Sequence, residues 1–180
     1  MSVLSRALVA ATIALVPFCV LDAQEARPRI LSPRDSAVQV VGDARVVVDY
    51  GRPSKRRRKE IFGALVPYGV IWRTGANEAT HLRADRDLMI GTLRVPRGAY
   101  TLWTIPERER WTLIVNRQTG QWGTEYDATQ DLGRVTMKVA PLEEPLEQFT
   151  IAIEPGKNGS GVLRMSWDTT QASIPLRVVK

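Results

Sequence analysis

The chain has one cysteine and one histidine in 180 residues. The cysteine, Cys19, lies in an apolar stretch near the N-terminus, so the chain beyond it has no thiol for a disulfide, a nucleophile or a zinc ligand. The histidine, His81, offers one imidazole, which would leave a zinc site dependent on several carboxylates from distant strands. No EF-hand pattern is present, and neither Ser54 nor Thr74 sits in a Gly-x-Ser-x-Gly elbow. Past the N-terminus no apolar run approaches the ~20 residues that a membrane-spanning helix needs, and there is no heptad or internal repeat. These gaps assign the chain no metal, no cofactor and no transmembrane segment after processing, and they leave its stability to a core.

What is present begins with a leader. Residues 1–23 carry one cation, Arg6, then an apolar run from Ala7 to Leu21 broken by Thr12 and Pro17, then Ala23. That is the order of a secretory signal peptide, with cleavage expected after the small Ala23. A lipoprotein is disfavoured because Pro17 and Phe18 precede Cys19 where a small residue is normal. The expectation is an exported protein, periplasmic or extracellular. Residues 24–36, with their prolines and arginines, read as a surface lead-in, and residues 37–180 as one domain with enough chain for a core. A formal net charge of +6 favours anionic surfaces, which for an exported protein means envelope polymer or lipid headgroups rather than nucleic acid.

The domain alternates with a period of two. Val46, Val48 and Tyr50 alternate with Arg45, Val47 and Asp49, and the same pattern recurs at Val135, Met137 and Val139, at Phe149, Ile151 and Ile153, and at Leu163, Met165 and Trp167. Ile174, Leu176 and Val178 form another such stretch, with Pro175 pointing to an edge position. Turn formers such as Pro96-Arg97-Gly98 and Pro155-Gly156-Lys157-Asn158-Gly159 separate these stretches, and Tyr100–Ile105 and Trp111–Asn116 read as a hairpin. The fold expected is all-β, an antiparallel β-sandwich of jelly-roll-like type, with a barrel as second choice. The one helix expected is a single turn around Lys59–Ala64. Residues 51–69 are the longest stretch without alternation, and long loops on a β scaffold often carry function.

Directly after that loop comes Trp72-Arg73-Thr74-Gly75-Ala76-Asn77-Glu78-Ala79-Thr80, a dense run of polar groups beside an aromatic ring. Polar groups taken out of water need partners, so the run is either a ligand cradle or a self-satisfied clasp in which Arg73 pairs with Glu78. Trp72, Arg73, Asn77, Glu78, Trp122 and Arg52 are the ligand-binding candidates, suited to a small polar or carbohydrate-like molecule. Trp111 and Trp167 fit alternating core faces instead. A hydrolase is the alternative, using Glu78 with Glu125 or Asp127 and supported by His81. Strand alternation places His81 with Arg83 and Asp85, on the face opposite Glu78. A third reading takes Lys55, Arg56, Arg57, Arg58 and Lys59 as a contact for anionic envelope polymer, against the simpler case of a solvated loop. No aromatic interrupts that run to stack bases.

Several motifs together resemble a known family. They are Gly51-Arg52-Pro53-Ser54, Arg58-Lys59-Glu60-Ile61-Phe62-Gly63, Leu65-Val66-Pro67-Tyr68-Gly69, the run from Trp72 to Thr80, Gly98-Ala99-Tyr100-Thr101-Leu102, Thr104-Ile105-Pro106, Trp111-Thr112 and Gln121-Trp122-Gly123. The chain resembles the bacterial exported proteins known as domain of unknown function 2911, over nearly all of its length beyond the leader. The resemblance implies an exported β-rich domain with no assigned activity and no catalytic residues to carry over. Relative to that family the cations from Lys55 to Lys59 look like an elaboration.

Overall fold

A computed structural model describes residues 31–179, and the expected leader over 1–23 lies outside the described residues. The strands are β1 (Arg34–Val41), β2 (Ala44–Gly51), β3 (Thr80–Ala84), β4 (Leu88–Ile90), β5 (Leu93–Val95), β6 (Gly98–Pro106), β7 (Arg110–Asn116), β8 (Asp131–Pro155) and β9 (Ser160–Val178). They form one open sheet in the order β1-β2-β3-β6-β7-β8-β9-β4-β5, with antiparallel neighbours throughout. The all-β, sandwich-like expectation therefore holds, and the barrel does not, because the sheet does not close on itself.

Two features differ from the pattern read along the chain. The alternating stretches at 135–139 and 149–153 belong to one strand, the 25-residue β8, and those at 163–167 and 174–178 to the 19-residue β9. These strands pair along most of their length, but the register shifts between Pro141 and Leu146 and again between Leu146 and Thr150. Pro141 and Pro145 have no N–H for the ladder, and Asp168, opposite Leu146, takes a left-handed φ of 53°. The hairpin bends there and lays its Phe149 side against the end of β2, where the Phe149 N–H donates to the Pro53 carbonyl at 2.9 Å. Pro175 stands just past the last β4–β9 pair, and its carbonyl accepts from the Gly91 N–H at 2.8 Å. The edge expectation thus gives way to a ladder end, where a missing donor is equally tolerable.

The helical turn expected at Lys59–Ala64 is absent. Gly63 takes a φ of 94°, and turns there bring Phe62 into a bridge with Val66. The 3-10 turn instead spans Ala128–Gln130, capped by Asp127, whose carboxylate accepts from the Thr129 N–H at 2.9 Å.

Alternation builds the main core. Val46, Val48 and Tyr50 of β2, Leu82 of β3, Trp111, Leu113 and Val115 of β7, and Phe149, Met165 and Trp167 of the bent hairpin meet in one buried cluster. Both faces of β6 and β7 are covered, because Trp103 and Ile114 point the other way into a second, smaller cluster with Ala79, packed against Ile71 and Tyr126. The cover comes from residues 71–80 and 121–126, which places the polar run on the flank of β6.

Candidate functional site

The segment from Trp72 to Thr80 is a loop stitched at both ends to β6. At one end Trp72 and Thr104 exchange backbone hydrogen bonds of 2.7 and 2.9 Å, and at the other Thr80 pairs with Leu102. Between these points the chain turns through left-handed conformations at Thr74 (φ 56°) and Asn77 (φ 65°). The turn satisfies itself. The Trp72 indole N–H donates to the Gly75 carbonyl at 3.1 Å, Thr80 Oγ1 donates to the Thr74 carbonyl at 2.7 Å, and the Thr74 and Thr104 hydroxyls lie 3.1 Å apart. All three threonines are buried, so these bonds replace water that cannot reach them.

Two glycines explain why distant motifs accompany this loop. A Cβ on Gly51 would lie 1.9 Å from the Ala76 carbonyl oxygen, and one on Gly123 would lie 2.0 Å from Arg73 Cδ and 2.3 Å from the Asn77 carbonyl oxygen. The loop therefore rests on bare backbone on both sides, and the Arg73 stem threads past Gly123. The Gly123 N–H completes the lock by donating to the Asn77 carbonyl at 3.0 Å.

The candidate ligand residues divide into two groups. Trp72 is buried in the main core, stacked on Trp167 with ring centroids 6.2 Å apart and 17° between planes, and edge-on to Phe62, Phe149 and Trp111. Trp72 and Arg73 line a cavity of about 270 Å³ together with Pro53, Leu65, Val66, Val70 and Trp167. Asn77, Glu78, Trp122 and Arg52 do not line it. The Asn77 side-chain amide donates to the Ser32 carbonyl at 3.3 Å. Glu78 pairs with Arg34 at 2.6 Å, which corrects the expected Arg73–Glu78 pair, since Arg34 takes the carboxylate while the Arg73 stem packs against Gly123. Trp122 bridges the Glu78 backbone with its ring half in solvent, and Arg52 is occupied by Asp35 at 3.2 Å, Thr150 Oγ1 at 3.0 Å and the Phe149 carbonyl at 3.2 Å.

Arg73 is the exception to this saturation. Its Nε is buried without a hydrogen-bond partner, and it makes no ion pair among the described residues. A buried, unmatched guanidinium N–H is costly, and Arg73 is the one charged residue in the cavity lining. The mouth of the cavity is apolar, with Leu65 46% and Val70 52% exposed at its rim. Periodicity did not point to Leu65, Val66, Val70 or Pro53, which lie outside the strands. The one available signal was the length of the unpatterned loop that carries them.

The remaining candidates sit elsewhere. His81 Nε2 accepts from the Gly120 N–H at 3.0 Å, and its pKa is lowered by burial, with the Arg34 and Arg83 cations adding to the effect. The imidazole is held neutral as an acceptor. Glu125 accepts from the Trp122 N–H at 3.4 Å, and the Asp127 carboxyl is held below its usual range by hydrogen bonds from Thr129. Among the described residues no three His, Cys, Asp or Glu side chains converge as a metal site would require. In the basic run, Lys55 turns inward to Asp168, with Nζ 2.5 Å from the carboxylate, while Arg56, Arg57, Arg58 and Lys59 are exposed.

These features define an open, sandwich-like antiparallel β protein with an apolar cavity beneath a long β2–β3 connection. The chain belongs to the family described as Protein of unknown function (DUF2911), which it matches over residues 32–176. No curated protein and no solved structure matches it.

Proposed function

We propose that this protein is exported and binds a small amphipathic molecule in the Trp72–Trp167 cavity, an apolar body against the indoles and an anionic group on Arg73. The leader pattern supports export. The observation that carries the binding reading is the cavity's lining, in which Arg73 is the one charged residue among mostly apolar side chains and has no ion-pair partner among the described residues. A carboxylate satisfies a guanidinium with charge-assisted hydrogen bonds, and an apolar body matches Leu65, Val70 and the two indoles. A sugar fits this lining less well. It needs polar groups around its ring, and Asn77 and Glu78 are engaged elsewhere. Ligand cavities commonly run from roughly 300 to 1,000 Å³, so about 270 Å³ suits a small occupant. The hydrolase alternative gains nothing from the geometry, because Glu78, Glu125 and Asp127 all lie off the cavity.

A thermal-shift panel tests the proposal with octanoate and phenylacetate against the matching alcohols and simple sugars. The carboxylates should raise the melting temperature of the wild type and leave Arg73→Met unmoved. Stabilisation by a sugar that survives Arg73→Met would refute this site.

A further inference from the structure

The β2–β3 connection carries exposed cations on a fixed backbone. The Lys55 N–H donates to the Glu147 carbonyl at 2.6 Å, the Arg56 N–H donates to the Glu147 carboxylate at 2.8 Å, and Lys55 anchors to Asp168. Arg56, Arg57, Arg58 and Lys59 therefore project from a held loop, and none makes an ion pair among the described residues. Glu60 follows them as the local acid. Arg56 and Arg58 share a surface depression with Leu65, and Leu65 shares the cavity rim with Val70. Arg108, in the β6–β7 turn, sits 5.0 Å over the Tyr68 ring and brings a further cation against the same connection.

Large apolar side chains standing in water beside cations that have no acidic partner are the chemistry of a membrane interface. The apolar tips enter the boundary between headgroups and acyl chains while arginine and lysine meet lipid phosphates. An anionic polysaccharide would use the cations and leave Leu65 and Val70 exposed. We propose that this face docks on an anionic phospholipid surface, with Leu65 and Val70 inserted and Arg56, Arg57, Arg58 and Lys59 on the phosphates. The cavity mouth then opens toward the headgroups. Docking depends only on the loop, so it can fail while ligand binding stands, and the reverse.

Cys19 is the sole cysteine, so Cys19→Ser with Val70→Cys places one environment-sensitive nitrobenzoxadiazole dye at the rim of the full chain. Vesicles of phosphatidylglycerol should raise its emission several-fold and shift it to the blue, whereas phosphatidylcholine vesicles should leave it nearly flat. Adding Arg56→Gln, Arg57→Gln, Arg58→Gln and Lys59→Gln together should abolish the response, and raising salt should weaken it. Attachment through the leader alone leaves the dye in water. A dye that stays wet on phosphatidylglycerol, or responds equally in the quadruple variant, overturns the proposal. An equal response to soluble dextran sulfate overturns it in favour of polymer contact.

Discussion

Gly123 and Arg73 form a matched pair, because the arginine stem occupies the space that any side chain at position 123 would need. With a Cβ 2.0 Å from Arg73 Cδ and 2.3 Å from a backbone oxygen, Gly123→Ala cannot be absorbed by rotating one flexible tip. It should cost about 1–3 kcal/mol, as overpacking does, read as a lowered denaturant midpoint with an unchanged slope. A midpoint equal to wild type would show that the loop is looser than described. His81 makes a different residue-scale prediction. Protonation removes the acceptor for the Gly120 N–H and adds a cation beside Arg34 and Arg83, with Asp49 and Glu78 opposing in part. The unfolded chain takes up that proton near the ordinary value of 6.5 and the native chain only at lower pH. The contribution is complete above that value and falls away as pH drops below it toward the native pKa. Urea midpoints at about pH 7.5 and about pH 5.5 should therefore separate more for wild type than for His81→Gln. Equal separations would contradict the assignment.

Among the elements, the bent β8–β9 hairpin and the β2–β3 connection depend on each other through Lys55 and Asp168. The two side chains are 22% and 12% exposed, so the pair is largely withdrawn from water, and Asp168 sits at the left-handed residue where β9 bends. Asp168→Asn keeps a residue that tolerates this conformation but leaves Lys55 without its counter-charge. It should cost about 2–3 kcal/mol, and Lys55→Met with Asp168→Leu should recover much of that loss, both read from denaturant midpoints. No loss in Asp168→Asn would mean that Lys55 escapes to solvent and that the pair does not hold the connection. The hairpin also shows where alternation stops being informative. Val135–Val139 and Phe149–Ile153 were legible as strands because one face of each is buried. Their continuity was not, since the polar stretch with Pro141 and Pro145 between them reads as a break. A strand that bends while carrying polar residues looks in sequence like two strands and a loop.

At the scale of the whole molecule, the class was legible from its periodicity. Turn residues and period-two patterning specify antiparallel sheets locally, and the β6–β7 hairpin pairs Thr101–Pro106 with Trp111–Asn116 as that patterning implies. The candidate site was legible only in part. The density of polar groups from Trp72 to Thr80 located the right loop, but density alone does not distinguish groups that face a cavity from groups that satisfy one another. Thr74, Asn77 and Glu78 are held by the fold, and Arg73 alone among the loop's charged groups is left over. Leu65 and Val70 were invisible because a loop has no period against which an apolar residue can stand out.

The central claim is that Arg73 receives an anion at the wall of the Trp72–Trp167 cavity, and calorimetric titration of octanoate into wild type and Arg73→Met measures it directly. A charge-assisted hydrogen bond contributes about 1.5–3 kcal/mol, so removing the guanidinium should weaken binding about tenfold or more, while octanol should bind both proteins alike. Equal octanoate affinities for the two proteins, with both folded, would contradict the account.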